Sequence, residues 1–540
     1  MTYNFVCPGK PIDFGRITGR ICERLVEALQ RPKEFWKVGI TMNEKEFASY
    51  LDSWIEPKRD EIVDCLLRLL RIPSVGTEAV DGKPFGEEVD KALRFVTQEA
   101  ERFGMKTKNV DGYAVHAEIG SGEEMAMTLT HVDIVPIGSG WTKDALGEVS
   151  EGYVYGRGAQ DNKGPTVACL YALRALKESG VPLKRRVRHV VGGNEESGFR
   201  CVRHYFEVEE KPTYGFSPDA VFPLVYAEKG SMNISVTVKL GDAARVSGAS
   251  GTSCASADCG ESSGPIAYLE DFYGGERANI VGDRASATLR VCKGCEDKVI
   301  SLLEEAVLKA REYTGGPGSL EFAFEKGDGS VKIGAKGKAA HASVPEEGTN
   351  AIAGLLYLLG TLNARLVSWE GIMFAAWAAA IHGEGLNIRC EDDISGPLTC
   401  NLGIARVERT SDGPVLKCVY NIRFPVRASG EELRERAHAC PHPEGVAVEV
   451  MSVGKPHYSD PESFLVKTLL RIYREETGDN SPPMAIGGGT YAKVIPGGVA
   501  YGPVRPGAEE TAHQADERIA VDELLFLVRI YARALYALAV

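Results

Sequence analysis

The sequence contains no long apolar segment. Its longest uninterrupted apolar run, Ile372–Ile381, has ten residues, whereas a helix that spans a bilayer needs about 20. The first residues, Met1–Lys10, include Asn4, Pro8 and Lys10 among a few apolar side chains, which is unlike the apolar core of a signal peptide. We therefore expect a protein that neither spans a membrane nor carries a secretory signal.

Excess positive charge and ordered cysteine patterns are also absent. The net charge is −13 and the pI is near 5.5. Because binding to nucleic acids or anionic membranes relies on basic patches, we expect neither partner. The 13 cysteines are odd in number and scattered through the chain. This distribution fits no compact disulfide framework and favours a reducing, cytoplasmic location.

The length of the chain predicts more than one domain. A chain of 540 residues is too long for one hydrophobic core, because single cores stop growing near about 250–300 residues. Apolar residues make up 44% and charged residues 25% of the sequence, which is typical of globular proteins. Residues 1–43 form an N-terminal extension to which no pattern assigns a structure.

One predicted domain combines residues 44–228 and 454–540. Helical periodicity runs through Asn43–Leu70, interrupted at Pro57. Further helices are predicted at Val89–Phe103, Pro165–Ser179 and Val521–Ala539, and strands at Ala114–Glu118, Ala126–Thr130 and Arg188–Val191. This alternation predicts an α/β domain with a central, mostly parallel sheet. Such domains bind ligands beyond the carboxyl ends of the strands.

The intervening residues 229–453 show a different pattern. Strands are predicted at Met232–Leu240, Ala285–Val291 and Lys417–Ile422, and helices at Lys298–Tyr313 and Asn350–Asn363. We therefore expect an inserted α+β domain. The stretch from Gly241 to Gly264, rich in Ser, Gly, Ala and Cys, is predicted to be a surface loop.

Histidines and carboxylates follow the predicted strands of the α/β domain. His131 and Asp133 alternate in an extended segment and so point the same way, and Asp133 is expected to orient the His131 ring. Glu195 and Glu196 follow the next strand, where one carboxylate can bind a metal while its neighbour faces the substrate. Asp161 lies in a glycine-rich turn as a candidate bridging carboxylate. Each pattern alone is also common in ordinary polar loops.

Two other motifs suggest different chemistry. Gly260–Gly264 has the G-x-S-x-G order of a serine nucleophile, but the residues before Ser262 are small and polar rather than a buried strand. Cys292 and Cys295 form a CxxC pair, a weak indication of a metal or redox site. Neither motif competes with the histidine and carboxylate set.

Taken together, these residues resemble the dinuclear-zinc amidohydrolases, which include aminoacylases, carboxypeptidases and dipeptidases, and most closely the PepV-type dipeptidases. The resemblance extends from about Glu44 to the C-terminus. The matching segments, in the family's order, are THVDIVP, YGRGAQDNKGP, NEES, FSPDAVFPLVYAEKG, GKAAHASVPEEGTNA, YNIRFP, GGGTYAK and AHQADE. It implies a phosphorylase/hydrolase-like catalytic domain and an inserted lid domain.

The resemblance also implies a ligand set. It places His131 and Asp219 on one metal ion, Glu196 and His513 on the other, and Asp161 between them. A hydroxide that bridges the two ions would attack the substrate. The expected ions are divalent, with zinc first and manganese or cobalt as alternatives.

The remaining roles concern catalysis and substrate binding. Glu195 is implied as the general acid/base, with Asp133 supporting His131. The lid would contribute His341 as the donor that stabilises the oxyanion. The residues implied to contact the substrate are Asn279, Arg423, Gly488 and Gly489.

The expected function is hydrolysis of short peptides, above all dipeptides with a free C-terminal carboxylate. The alternatives are an N-acyl amino acid deacylase or a carboxypeptidase of the same build, and a metal-binding or peptide-binding module without activity. The insertion, from about Lys229 to Val453, is long enough for two lid halves within one chain, which slightly favours a monomer. Lys493, where related sequences often have Arg, the N-terminal extension and the 241–264 loop depart from the family pattern.

Overall fold

The computed structural model describes residues 42–241, 265–315 and 319–540. The N-terminal extension up to residue 41, Ser262 and the loop from residue 242 to 264 lie outside the described residues. The helices are α1 (Glu44–Ile55), α2 (Arg59–Leu70), α3 (Glu87–Arg102), α4 (Lys163–Ser179), α5 (Arg200–Val208), α6 (Glu296–Thr314), α7 (Ala351–Gly360), α8 (Trp369–Trp377), α9 (Gly430–His438), α10 (Phe464–Thr477) and α11 (Val521–Ala539).

The strands account for most of the remaining regular structure. They are β1 (Lys106–Val110), β2 (Ala114–Ile119), β3 (Met125–His131), β4 (Glu148–Ser150), β5 (Tyr153–Tyr155), β6 (Arg186–Gly192), β7 (Tyr214–Ser217), β8 (Ala220–Val221), β9 (Val225–Glu228), β10 (Gly230–Lys239), β11 (Ala267–Gly274), β12 (Arg284–Val291), β13 (Glu321–Gly327), β14 (Ser330–Lys336), β15 (Glu391–Asp392), β16 (Gly396–Pro397), β17 (Thr399–Thr410), β18 (Gly413–Phe424), β19 (Val446–Gly454), β20 (His457–Tyr458), β21 (Met484–Ile486), β22 (Val499–Ala500), β23 (Pro503–Val504) and β24 (Arg518–Ala520).

The chain folds into two compact units. The first contains the described residues up to Tyr226, then Ser459–Pro483 and Thr490–Val540, and the second contains Ala227–Tyr458 and Met484–Gly489. The predicted division, with residues 44–228 and 454–540 in one domain and 229–453 in the other, differs from these units at residues 227–228, 454–458 and 484–489. The last of these segments belongs to the second unit, where the Lys229 amide donates to the Ile486 carbonyl at 3.0 Å.

The first unit is built on a mixed sheet with a parallel centre. Its strand order is β1-β2-β6-β3-β7-β22-β9. The pairs β6/β3, β3/β7 and β7/β22 are parallel, and the outer pairs are antiparallel. This confirms the expected α/β class; the mostly parallel pairing that was expected holds for the central strands, and the outer pairs make the sheet mixed. Every residue of β3 is buried, as expected for a central strand covered on both faces.

Helix ends in the first unit follow local sequence signals. Asn43 caps α1 through a capping box with Glu46, which satisfies amide groups that the first helical turn leaves without partners. The 3-10 turn Glu56–Lys58 separates α1 from α2, at the predicted interruption around Pro57. Helix α4 ends at Gly180, whose φ of 71° is in the left-handed region that favours glycine.

The second unit is an antiparallel sheet with helices, which confirms the expected α+β insertion. Its strand order is β13-β14-β12-β11-β17-β18-β10-β19. Side chains from the sheet, such as Ile234 and Leu289, share one hydrophobic core with Leu303 of α6 and Leu355 of α7. Among the helices of the described residues, none is both long enough and apolar enough to cross a membrane.

Candidate functional site

The parallel strands of the first unit bring the predicted polar residues to one edge. His131 is the last residue of β3 and pairs in register with Gly192 at the end of β6. Glu195 and Glu196 follow β6, and Asp219 follows β7. Because β6, β3 and β7 are adjacent and parallel, their carboxyl ends lie side by side.

The His131 ring is fully buried and has a defined orientation. Its Nδ1 lies 3.0 Å from the backbone carbonyl oxygen of Asp133. A carbonyl only accepts hydrogen bonds, so Nδ1 carries the proton that is donated. The Nε2 atom lies 3.0 Å from Asp161 Oδ1 and 3.6 Å from Asp219 Oδ1. Nε2 is therefore the nitrogen that is available to bind a cation.

Asp133 uses its two polar groups for different tasks. Its carboxylate is 3.5 Å from His131 Nδ1, longer than the contact made by its backbone carbonyl. The two carboxylate oxygens instead accept from the Glu195 amide at 3.0 Å and the Glu196 amide at 3.1 Å. Asp133 thus orients the histidine mainly through its backbone and holds the Glu195–Glu196 turn through its side chain.

Two groups of side chains could each hold a metal ion. One contains His131, Glu195 and Asp219, and the other contains Asp161, Glu196 and His513. In the second group, His513 Nε2 lies 3.0 Å from Glu196 Oε1 and 3.1 Å from Asp161 Oδ2. Asp161 faces His131 with one oxygen and His513 with the other, so it connects the two groups.

The spacing and chemistry of these atoms fit divalent cations. Ligands bound at about 2.0–2.2 Å to one tetrahedral ion lie roughly 3.3–3.6 Å apart. The nitrogen-to-oxygen distances from His131 and His513 to their carboxylates, from 3.0 to 3.6 Å, are near this spacing. Imidazole and carboxylate ligands suit zinc, manganese or cobalt.

Electrostatics at the site reflect several carboxylates in a small buried volume. Burial raises the pKa of Glu195 well above its ordinary value, and the negative charge of Asp219 adds to the effect. Burial likewise raises the pKa of Asp219 to about 6. Hydrogen bonds with Asp161 and Glu196 raise the pKa of His513 to about 10. Without added positive charge, the site therefore retains protons at neutral pH.

His131 and Asp161 stabilise each other's charged forms. Burial alone would lower the pKa of His131, but contacts with Asp133, Asp161 and Asp219 raise it well above its ordinary value. Burial would raise the pKa of Asp161, but contacts with His131 and His513 lower it below its usual range. A cation bound between these groups would replace the protons that now balance the carboxylate charge.

Glu517 is a buried residue beside the Asp161 turn to which the sequence patterns assigned no role. Its buried carboxylate accepts from the backbone amides of Gly158, Gln160 and Asp161 at 3.0–3.1 Å. Arg157 Nη1 donates to the other carboxylate oxygen at 2.7 Å. Glu517 thereby holds the turn that carries Asp161. Its only sequence signal was its place in the AHQADE segment.

Two further side chains of the Asp161 turn support its neighbours. Asn162 Nδ2 donates to Asp219 Oδ1 at 2.9 Å. Gln160 Oε1 accepts from the amides of Thr511 and Ala512 at 2.8 and 2.9 Å, just before His513. The turn therefore positions residues of both ligand groups. Side-chain partners of this kind could not be recognised from sequence spacing, because they are far apart in the chain.

The predicted substrate residues belong to the second unit, where backbone contacts connect several of them. The Ala342 amide donates to the Asn279 carbonyl at 3.0 Å, which pairs the Asn279 segment with the His341 segment. Asn401 Nδ2 donates to the carbonyls of Ala278 and Ile280, both at 2.9 Å. Asn401 thus holds the backbone on both sides of Asn279.

Arg423, in β18, is partly buried, and burial lowers its pKa. Nε donates to Asn421 Oδ1 at 2.9 Å, and Nη1 donates to the Gly487 carbonyl at 3.3 Å. Within residues 42–241, 265–315 and 319–540, no carboxylate forms an ion pair with Arg423. Gly488, partly buried, and Gly489, exposed, follow Gly487 in the same segment.

The competing cysteine motif takes no part in either ligand group. Cys292 and Cys295 are buried at the start of α6, where the Cys295 amide donates to the Cys292 carbonyl at 2.9 Å. Neither cysteine belongs to a candidate metal group in the part of the chain that the structure describes.

Known proteins are similar to this chain over most of its length. Residues 127–537 match the profile of Peptidase family M20/M25/M40. A protein of Bacillus subtilis (strain 168), described as a putative dipeptidase, YtjP, is 37% identical over 490 residues, which cover 89% of this chain and 98% of that protein. A putative dipeptidase of Staphylococcus haemolyticus, SH1171, is 33% identical and covers 90% of this chain and 98% of its own length.

A solved structure supports the fold assignment. The di-peptidase Dug1p from Saccharomyces cerevisiae is 12% identical, with a TM-score of 0.50, and the match covers 92% of this chain and 99% of that chain. At this identity the likeness concerns the fold alone. The family profile and the putative dipeptidases match most of the sequence. The chain therefore belongs to peptidase family M20/M25/M40 and is an enzyme of the metallopeptidase class.

Proposed function

We propose that the protein hydrolyses short peptides, above all dipeptides with a free C-terminal carboxylate, and that it depends on two divalent metal ions. The main observation is the pair of ligand groups connected by Asp161, whose two oxygens face His131 and His513. The description of the Bacillus subtilis relative as a putative dipeptidase supports the same substrate class.

The proposed ligands follow from the side-chain contacts. His131 and Asp219 would hold one ion and Glu196 and His513 would hold the other, while Asp161, whose two oxygens face the two histidines, would serve both. When bound, such ions would supply Lewis-acid chemistry, which lowers the pKa of a nearby water and polarises the substrate carbonyl. Zinc is the expected metal, with manganese and cobalt as alternatives. The buried Arg157–Glu517 pair keeps the Asp161 turn in place.

Glu195 is the proposed general acid/base. Its side chain belongs to the same group of neighbouring atoms as His131 and Asp219, and its backbone amide is held by Asp133. A carboxylate held beside the candidate metal ligands can accept a proton from water and return it to a leaving group. Glu195 takes a proton from the attacking water and later gives a proton to the leaving amine.

Arg423 is the proposed partner of the substrate's C-terminal carboxylate. Its guanidinium is partly buried and donates to the neutral oxygens of Asn421 and Gly487. A partly buried cation without an ion-pair partner is stabilised when an anion binds to it. The planar guanidinium can bind a carboxylate with two parallel hydrogen bonds. Asn279, Gly488 and Gly489 contribute further contacts with the peptide.

His341 is the proposed donor to the oxyanion that develops on the scissile carbonyl. Removal of such a donor typically costs about 10²–10³ in kcat. We expect His341→Ala to lower kcat by this amount, with metal content unchanged. The monomeric state and the cytoplasmic location expected from the sequence stay predictions.

The test is a substrate panel on chelated enzyme, with zinc, manganese and cobalt restored in turn. The panel contains dipeptides and tripeptides with free ends, the same peptides with amidated C-termini, and N-acyl amino acids. We expect hydrolysis of free dipeptides only after a metal is restored, and a strong loss upon amidation. Preference for acylated amines would identify a deacylase, and removal of the last residue from longer peptides would identify a carboxypeptidase.

The Arg423→Ala variant, measured on the same panel, tests whether Arg423 binds the C-terminal carboxylate of the substrate. The variant should raise KM for free dipeptides while it changes the rate for amidated peptides little, because only the free carboxylate loses its partner. Equal losses on both substrates would contradict the proposed role. Arg427→Ala is a matched control, because Arg427 pairs with Asp393 at the surface of the same unit.

A further inference from the structure

Ser343 contacts the ring of His341 through both its side chain and its backbone. The hydroxyl oxygen of Ser343 lies 2.6 Å from His341 Nδ1. The backbone amide of Ser343 also donates to Nδ1, at 3.2 Å. Both groups of Ser343 therefore meet the same ring nitrogen.

The backbone contact determines which nitrogen of His341 carries the proton. An amide N–H can only donate, so Nδ1 must offer a lone pair and cannot itself be protonated. The neutral ring then carries its proton on Nε2. The Ser343 hydroxyl, at 2.6 Å from this lone pair, donates to it as well.

We propose that Ser343 is a positioning residue that holds His341 in the Nε2–H tautomer. This proposal rests on the proposed role of His341, because a neutral histidine can stabilise an oxyanion only through a nitrogen that carries a proton. With the proton on Nδ1, Nε2 would direct a lone pair at the developing negative charge. Ser343 thus makes His341 a donor before the substrate arrives.

The surroundings of Ser343 keep it in register with His341. The Val344 amide donates to the His341 carbonyl at 3.1 Å, and the Ala342 amide between them donates to Asn279. Gly487 packs directly on Ser343, since a Cβ atom added to Gly487 would lie 2.5 Å from Ser343 Cβ. A larger side chain at residue 487 would push Ser343 away from the ring.

The direct test is nitrogen NMR on the full-length, zinc-loaded protein labelled with ¹⁵N-histidine. The chain has ten histidines, and the signals of His341 are identified by their loss in His341→Ala. We expect its Nδ1 to give the shift of an unprotonated ring nitrogen and its Nε2 that of a protonated one. A protonated Nδ1 in the wild-type protein would overturn the proposal.

Variants of Ser343 test its contribution. Ser343→Ala removes the hydroxyl but keeps the backbone donor, so we expect a partial shift towards the other tautomer and about a fivefold fall in kcat with KM nearly unchanged, as for one hydrogen bond. Ser343→Thr keeps the hydroxyl and should restore both readouts. Ser411→Ala, an exposed serine whose hydroxyl contacts Asp412, is the matched control.

The outcomes separate this proposal from the proposed function. If Ser343→Ala leaves both the tautomer and kcat unchanged, Ser343 does not position His341. If His341→Ala retains full activity, His341 does not stabilise the oxyanion. The NMR spectrum of the wild-type protein would still show which ring nitrogen of His341 is unprotonated beside Ser343. In the background of His341→Ala, the Ser343 substitution should have no further effect on kcat.

Discussion

Replacement of Glu517 by Gln should weaken metal binding although residue 517 touches no proposed metal site directly. The amide oxygen of Gln can still accept from Gly158, Gln160 and Asp161. Its NH₂ group, however, would face the Arg157 guanidinium, where Glu517 now accepts at 2.7 Å. The variant thus replaces a buried ion pair with two facing donors.

The expected size of the effect follows from this change. Breaking a buried ion pair by removing one charge costs about 3–5 kcal/mol, and part of that cost is relieved as the Asp161 turn shifts. Loss of an outer partner of a metal ligand typically reduces metal affinity by about 10–100-fold. We therefore expect zinc affinity to fall within this range and kcat to fall at limiting zinc.

The assay is competition for zinc against a coloured chelator, well below the unfolding temperature. Glu509→Gln is the matched control, because Glu509 forms an exposed ion pair with Arg518 in the same segment, and exposed pairs contribute only about 0–1 kcal/mol. If Glu517→Gln lowered the melting temperature but kept the wild-type zinc affinity, Glu517 would stabilise the fold without positioning the Asp161 turn for metal binding.

Three further predictions test the site and the core. Glu195→Gln should lower kcat by about 10²–10⁴-fold, while elemental analysis still finds both metals bound. Near-normal turnover in this variant would exclude Glu195 as the general acid/base. In the metal-free site, His131 and His513 hold protons, and the pKa is about 10 for His513 and about 6 for Asp219. A cation must displace these protons, so its binding should release protons, and the metal affinity should increase from pH 6 towards pH 10. Calorimetry in buffers of different ionisation enthalpy would show no proton release if this is wrong. Burial lowers the pKa of His189 from 6.5 to about 3. As the pH drops below 6.5, His189 therefore takes up a proton in the unfolded state but not in the folded state. The free energy of unfolding should fall by about 1.4 kcal/mol per pH unit because of this group. His189→Gln should reduce that slope, and an unchanged slope would contradict the assignment.

Local patterns were sufficient for most of the secondary structure. The helix at Val521–Ala539 and the interruption around Pro57 agree with the structure, because helical periodicity and proline act within a few residues. Segment 484–489 was expected in the first domain, yet it lies in the second unit. Its partners, Lys229 and Arg423, are distant in sequence, so no local signal could place it.

The candidate site shows the same limit. His131 and Glu195 were selected because polar residues at the ends of parallel strands meet at one edge, and the structure places them in one ligand group. The structure alone revealed that Asp133 uses its carboxylate to hold the Glu195–Glu196 turn. Side-chain and backbone groups of one residue can serve different partners, and the sequence does not distinguish them.

Strand and helix periodicity and short motifs are properties of neighbouring residues, so they were sufficient to predict the fold class, the family and the residue types that could bind two cations. Which atoms meet depends on how the chain folds. Glu517 reaches Asp161 across more than three hundred residues of chain, and Ser343 selects the protonated nitrogen of His341 through a contact of 2.6 Å. Such contacts depend on side-chain directions and distances that only the packed chain defines.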